Sequence, residues 1–287
     1  MKISVIVPTY NRPKALKLCV LSLADQSVRP HEVLIADDGS TSETRDIVQQ
    51  LQQSLKNVFP ITHVWHEDMG FRKPKILNET VRQTTGDYLI FIDGDCMAHR
   101  HFVRAHIEQS DPEAILSCST RVEIGKRLTE KLYEEEKVLN SLSLRLLLDC
   151  SSLRGRVKHS LGGPSRRLEC SIPIKNELLR KLMSLDKIAD NGVMGCNFSL
   201  YKTLFMDING CDEDFLDGSL EDTDLGIRAI NQGKRLKSVR CLAIIFHLWH
   251  PSTWCAESEK FQYNLKILKK RIADKEKVCR NGIRKLM

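Results

Sequence analysis

Tyr88-Leu89-Ile90-Phe91-Ile92-Asp93-Gly94-Asp95 is an apolar run that stops at two carboxylates. The run reads as a buried strand that meets solvent where the acids begin. If the chain stays extended, Asp93 and Asp95 share a face, because strand side chains repeat every second residue. Two carboxylates held that close repel each other unless a cation sits between them. Oxygen ligands suit Mg²⁺ or Mn²⁺, ions usually held by one or two carboxylates plus substrate phosphates. The stretch therefore suggests a metal-dependent site for a phosphorylated substrate. The plain alternative is a turn, since Asp-Gly is a common hairpin signal.

Working outward from this strand, the first 120 residues alternate strand and helix signals. Ile3–Pro8 reads as a strand, and Pro13–Ala24 as a helix opened by Asn11 and Pro13. Val33–Ala36 is a short buried strand ending in Asp37-Asp38-Gly39-Ser40. Ser42–Leu55 carries Ile47, Val48, Leu51 and Leu55 at helix spacing. Ile61–Trp65, a helix around Ile76–Gln83 and the opening strand continue the rhythm. The expected fold is α/β, a mostly parallel central sheet flanked by helices. Ligands of such sheets bind beyond the carboxyl ends of the strands. Pro8-Thr9-Tyr10, Asp37-Asp38 and Asp93–Asp95 all fall at such ends.

From about Ile124 to Asp190 the pattern changes. Leu128–Leu148 reads as a charged helix and Arg154–Arg167 as a basic loop, with strand rhythm returning near Val193. This insertion is either a lobe shaping a variable pocket or a helical segment that only packs.

Composition narrows the class. Of 287 residues 41% are hydrophobic, which fits a folded globular chain. No apolar run approaches the ~18 residues of a membrane span, and the start is too quickly polar for a signal peptide. A cytoplasmic protein is expected. The ten cysteines are scattered and form no CxxC pair, so reduced thiols are expected rather than disulfides or zinc. The net charge of +7 is concentrated in the last 28 residues, where ten Lys or Arg face two acids. The rest is near neutral, which argues against a nucleic-acid groove there. Phe261, Leu265, Leu268 and Ile272 form a stripe beside Lys266, Lys269, Lys270 and Arg271. Such a basic amphipathic helix suits an anionic membrane surface or a helix docked on the body; peripheral membrane contact through residues 260–287 is the expectation adopted.

Four patterns occur in order: Pro8-Thr9-Tyr10-Asn11-Arg12, Asp37-Asp38-Gly39-Ser40, Asp93-Gly94-Asp95 and Glu221-Asp222. In this order and spacing the chain resembles the family-2 glycosyltransferases, which have the GT-A fold. The resemblance covers roughly residues 3–120 and 191–250. It implies that Pro8, Thr9, Tyr10, Arg12 and Asp38 cradle a nucleoside, usually that of a UDP-sugar, with Asp38 on the uracil N3–H. A turn or helix cap is the plain alternative for Asp38. His66 through Asn78 also looks like a family segment that lines the nucleotide site, with Lys75 and Asn78 one helical turn apart. Gly195-Cys196-Asn197-Phe198-Ser199 and Phe215 through Gly226 resemble the acceptor half, close to a galactosyltransferase-type C-terminal segment.

The resemblance implies Asp222 as general base, with Glu221, Asn197 and Trp249 near acceptor or sugar. It implies a Mn²⁺ or Mg²⁺ ion held by Asp95 and His247, while Asp93 faces the ribose or assists through water. His250 is the runner-up for the histidine ligand. The expected division is 1–120 nucleotide-sugar half, 121–190 insertion, 191–252 acceptor half and 253–287 basic tail. The expected reaction is inverting transfer from a UDP-sugar to a hydroxyl of a glycan or glycolipid, in surface polysaccharide or lipopolysaccharide assembly. The rivals are a sugar-nucleotide-forming nucleotidyltransferase, which would carry a Gly-rich first loop, and a non-catalytic sugar-nucleotide or glycan binder. A dehydrogenase is disfavoured because no GxGxxG follows the first strand.

Overall fold

The computed structural model describes residues 1–150, 162–188, 192–251 and 257–286. Strands β1 (Ile3–Thr9), β2 (Glu32–Asp37), β3 (Ile61–Trp65) and β4 (Tyr88–Ile92) are joined by helices α1 (Pro13–Ala24), α2 (Ser42–Ser54) and α3 (Lys73–Gln83). Then come β5 (Cys96–Ala98), α4 (Phe102–Gln109), β6 (Ala114–Ser117), β7 (Val122–Glu123), α5 (Lys126–Glu135), α6 (Leu144–Cys150) and α7 (Glu177–Leu182). The last third holds β8 (Asn197–Tyr201), α8 (Lys202–Asp207), α9 (Glu221–Asn231), β9 (Arg235–Ser238), β10 (Ile245–His247) and α10 (Glu259–Asp274).

The main sheet runs β3-β2-β1-β4-β8-β6-β9. Only β8 opposes its neighbours, being antiparallel to both β4 and β6. The aliphatic runs become parallel strands because both faces are covered. Ile3, Val5 and Val7 of β1 pack with Leu16, Val20, Val48 and Leu51 from α1 and α2. Ile6 points the other way, into a second cluster with Ile76, Leu77 and Val81 of α3. Phe91 joins that second cluster and stacks on Phe198 across the β4–β8 pair, with ring centroids 4.3 Å apart. A smaller sheet, β5-β10-β7, lies beyond the end of β4 and holds the C-terminal histidines.

Two expectations change here. The helix expected over Leu128–Leu148 is two helices, because Glu136 adopts a left-handed conformation (φ 51°) and Lys137 N–H donates back to the Leu132 carbonyl. The intervening Leu139-Asn140 then lies against the small sheet, where Leu139 N–H meets Met97 Sδ and Asn140 C=O accepts from Arg100 N–H. Most of the expected basic loop, 154–161, lies outside the described residues. Of the two readings of the final segment, the structure shows the docked helix, with a different buried stripe from the one expected. The stripe that α10 buries is Asn264, Leu268 and Arg271, not Phe261-Leu265-Leu268-Ile272, and Ile272 is exposed. Among the described residues no helix is long and apolar enough to cross a membrane.

Candidate active site

The carboxyl ends of β1, β2 and β4 open on one rim and frame a cavity of about 320 Å³. Its lining includes Pro8, Thr9, Tyr10, Arg12, Asp38, Phe71, Lys73, Asp93, Gly94 and Asp95. The volume is in the range of small-molecule sites. Asp38 is buried, accepting from Arg72 N–H (2.9 Å) and pairing with His66 Nε2 (2.7 Å). Burial pushes its carboxyl above the usual range, and these two bonds partly oppose the rise. Asp37 turns away, bonding Ser40 N–H and His63. The Thr9 hydroxyl is buried in the cavity wall without a hydrogen-bond partner among the described residues. A polar ligand there would satisfy it. Tyr10 is half exposed and donates its OH to Asp68 (2.9 Å).

After Ile92 the chain does not stay extended. Cys96 N–H donates to the Asp93 carbonyl (2.9 Å), closing a turn, and Gly94 N–H donates to Pro8 C=O (2.9 Å). A Cβ on residue 94 would lie 2.9 Å from that Pro8 oxygen, so only glycine lets the ends of β1 and β4 approach this closely. Turn and carboxylate site are thus the same feature. The turn separates the two acids. Asp93 Oδ1 pairs with Lys73 Nζ at 2.9 Å, while Asp95 faces His250 Nε2 (3.2 Å), His247 Nε2 (3.7 Å) and Arg12 (3.7 Å).

Asp95, His247 and His250 each offer one ligand atom, all within 4.8 Å of one another. His247 Nδ1 lies 3.0 Å from Glu123 and His250 Nδ1 lies 2.9 Å from the Pro251 carbonyl. With both Nδ1 atoms turned to acceptors, both Nε2 atoms face Asp95. One carboxylate and two imidazoles suit a divalent ion such as Mn²⁺. The 3.2 and 3.7 Å separations fit atoms sharing an ion at ~2 Å from each. Burial works to raise the Asp95 carboxyl, but His247, His250 and Arg12 hold it well below the usual range.

Lys73 of the cavity wall also faces two further acids, Glu221 and Asp222. Leu220, in a left-handed conformation (φ 68°), turns the chain into α9 so that Glu221 is buried at its first position. Asp222 accepts from Gly195 N–H and Thr223 N–H, both at 2.7 Å. Burial pushes both carboxyls up, and the charge of Asp222 adds to the rise of Glu221. Burial disfavours the Lys73 ammonium, but Asp93, Glu221 and Asp222 outweigh it and hold its proton.

Four expected contacts are not at the cavity. Asn78 is fully buried, its amide bonded to Cys211 N–H (2.9 Å), Cys211 C=O (2.8 Å) and Glu213 (3.0 Å), so it pins a loop instead of a nucleotide. Asn197 is likewise internal, bridging His106 (3.0 Å) and the Ala243 carbonyl (2.7 Å). Lys75 points along the outside of α3 toward Glu79 (3.9 Å). Trp249 sits on α5, its N–H backbone bonded to Thr129 Oγ1 and Lys126 lying 5.1 Å over its ring. The sequence singles out neither Phe71 nor Glu123, and it leaves Lys73 evenly between a diphosphate contact and a solvated helix start. Lys73 and Phe71 belong to a run that looked relevant, but a basic helix start is equally a solvated feature. Glu123 gave no signal.

A nucleotide-sized cavity at the ends of parallel strands, rimmed by an Asp-Gly-Asp turn and a histidine pair, defines a GT-A fold protein. Residues 4–163 match the model of glycosyl transferase family 2, and residues 186–251 match one described as the N-terminal domain of galactosyltransferase. The chain belongs to glycosyl transferase family 2. It is 34% identical over 122 residues to validoxylamine A glucosyltransferase of Streptomyces hygroscopicus subsp. limoneus, a match spanning 40% of this chain and 26% of that protein. Among solved structures it resembles the mannosyltransferase PcManGT of Pyrobaculum calidifontis, in complex with GDP-Man and Mn²⁺ (TM-score 0.60, 17% identity, 95% of this chain and 64% of that one). It also resembles S. aureus TarS 1–349 in complex with UDP-GlcNAc (TM-score 0.57, 18% identity, 96% and 69%).

Proposed function

We propose that this chain is an inverting, metal-dependent glycosyltransferase that moves a hexosyl or N-acetylhexosaminyl group from a UDP-sugar to a hydroxyl of a glycan or glycolipid. The observation that carries the reading is the Asp95–His247–His250 cluster at the edge of the cavity, together with the Glu221–Asp222 pair that faces Lys73 of the cavity wall. Thr9, Asp38 and Arg72 N–H surround the base-side end, and Asp38 suits the uracil N3–H as an acceptor. Asp95, His247 and His250 would hold Mn²⁺ or Mg²⁺, which neutralises charge on the departing diphosphate. Lys73 and Arg12 add donors suited to phosphate oxygens. Asp222 takes the acceptor proton as that oxygen attacks C1 opposite the leaving group. Its raised carboxyl suits this role, since a base is most effective near the working pH. Glu221 shapes the acceptor side of the same pocket.

The similarity to a UDP-GlcNAc complex supports the uridine choice, while the GDP-Man complex keeps guanosine as the alternative to test. A role in surface polysaccharide or lipopolysaccharide assembly rests on family analogy. The exposed Lys266, Lys269 and Lys270 of α10 would then touch an anionic membrane surface from the cytoplasmic side.

The direct test is equilibrium binding of UDP-, GDP- and dTDP-sugars with and without Mn²⁺, followed by transfer assays. UDP-sugars should bind with Mn²⁺, and Asp95→Ala should abolish that dependence. Asp222→Asn should keep donor binding while transfer drops by about 10²–10⁴-fold. Absence of any nucleotide binding with Mn²⁺ present would sink the reading.

A further inference from the structure

In the small sheet β10 runs parallel to β7, with His247 in register with Glu123. Their side chains meet at 3.0 Å, His247 Nδ1 to Glu123 Oε2, and each residue is only 7% exposed. The other Glu123 oxygen accepts from Arg121 Nε at 2.9 Å, and Arg121 reaches on to Cys196 Sγ at 3.6 Å. A carboxylate only accepts, so Nδ1 carries the hydrogen in this contact. With the hydrogen on Nδ1, a neutral ring has its lone pair at Nε2, the atom 3.7 Å from Asp95 Oδ1. That distance is too long for a hydrogen bond. The strands do not need the carboxylate to pair. Ile124 N–H donates to His247 C=O (2.8 Å), and Glu123 exchanges both of its backbone bonds with Arg166. Among the described residues, the buried charge at residue 123 meets the imidazole and Arg121.

We propose that Glu123 is a positioning residue, braced by Arg121, that fixes His247 as the Nδ1–H tautomer with a bare Nε2 turned toward Asp95. Its purpose, resting on the metal reading above, is to present that nitrogen to a divalent cation. Carboxylates behind ligating histidines orient the ring and raise its basicity, and their loss typically weakens metal binding about 10–100-fold. His250 Nδ1 meets instead an uncharged acceptor, the carbonyl of its own neighbour Pro251. Glu123 thus acts on one of the two histidines.

The experiment has two independent readouts. Long-range ¹H–¹⁵N spectra of the metal-free protein, with His247→Gln used to assign the peaks, should show His247 protonated at Nδ1 and bare at Nε2. In Glu123→Gln, whose amide can turn to donate to Nδ1, that tautomer should give way to a mixture or to the Nε2–H form. Mn²⁺ titration followed by electron paramagnetic resonance should show about 10–100-fold weaker binding in Glu123→Gln and in Glu123→Ala, with recovery in Glu123→Asp. An Nε2–H tautomer in the wild type overturns the proposal. So does wild-type Mn²⁺ affinity in folded Glu123→Gln. If the wild type binds no Mn²⁺, the metal reading fails and the tautomer spectrum still decides the role of Glu123. If the variants do not fold, the wild-type spectrum decides it alone.

Discussion

Asp93 and Asp95 are two residues apart, yet one meets an ammonium on α3 and the other two imidazoles near β10. Gly94 makes the division, because its missing Cβ lets the turn fold against Pro8. Lys73 is the residue that this division gives a role. It pairs with Asp93, and its charge also lowers the Asp222 carboxyl, against the larger upward push of burial. Under the proposed base role Asp222 must be ionised, so activity should fall as pH drops through its raised pKa. Lys73→Gln removes the stabilising charge and lets that pKa rise further, so the acid limb of kcat should move to higher pH. A limb that stays in place or moves down in a kcat–pH profile would contradict this account. The profile must be taken at saturating donor, because the substitution also alters the phosphate side of the cavity.

At the level of elements, α10 does work that a basic amphipathic pattern does not announce. Asn264 is fully buried; its Oδ1 accepts from Leu216 N–H (2.9 Å) and its amide donates to the Ser219 carbonyl (3.0 Å). It thereby clamps the loop that ends in the left-handed Leu220 and aims Glu221 and Asp222. Arg271, two turns on, pairs with Asp224 of α9 at 2.9 Å and with Asp212. Asn264→Ala should cost about 1–3 kcal/mol in urea unfolding, the price of stranding buried partners. It should also lower kcat while leaving the donor Kd unchanged, if the clamped loop serves the proposed acceptor side. Unaltered kcat in a destabilised variant would leave Asn264 with packing alone.

At the scale of the whole molecule the C-terminal segment closes the fold. Cys279 and Ile283 are buried, and the Asn209 amide donates to the carbonyls of Cys279 and Arg284, both at 2.8 Å. A chain ending at residue 258 should therefore lose its near-ultraviolet circular dichroism and cooperative melting. A truncated protein that melts within about 2 °C of the full chain would show the segment to be an accessory. The first four strands and three helices were legible because each is a local pattern: aliphatic runs of strand length, helix-spaced apolar residues and Pro at helix starts. The cavity followed from them, since parallel strands bring Thr9, Asp38 and Asp93 to one rim wherever else the chain goes. The break at Glu136 was not legible, because a left-handed turn in a charged stretch leaves no periodic mark. Nor were the tasks of Asn78, Asn197 and Asn264, since an amide looks the same in sequence whether it meets a ligand or a buried backbone group. By itself, then, the sequence determined the strand order's local half, the acids and the histidines. Only the tertiary structure decided which acid faces which cation, that both histidines reach Asp95 and that Glu123 stands behind one of them. Those pairings join residues up to 155 positions apart, from 95 to 250, and they depend on how the small sheet docks beside the large one.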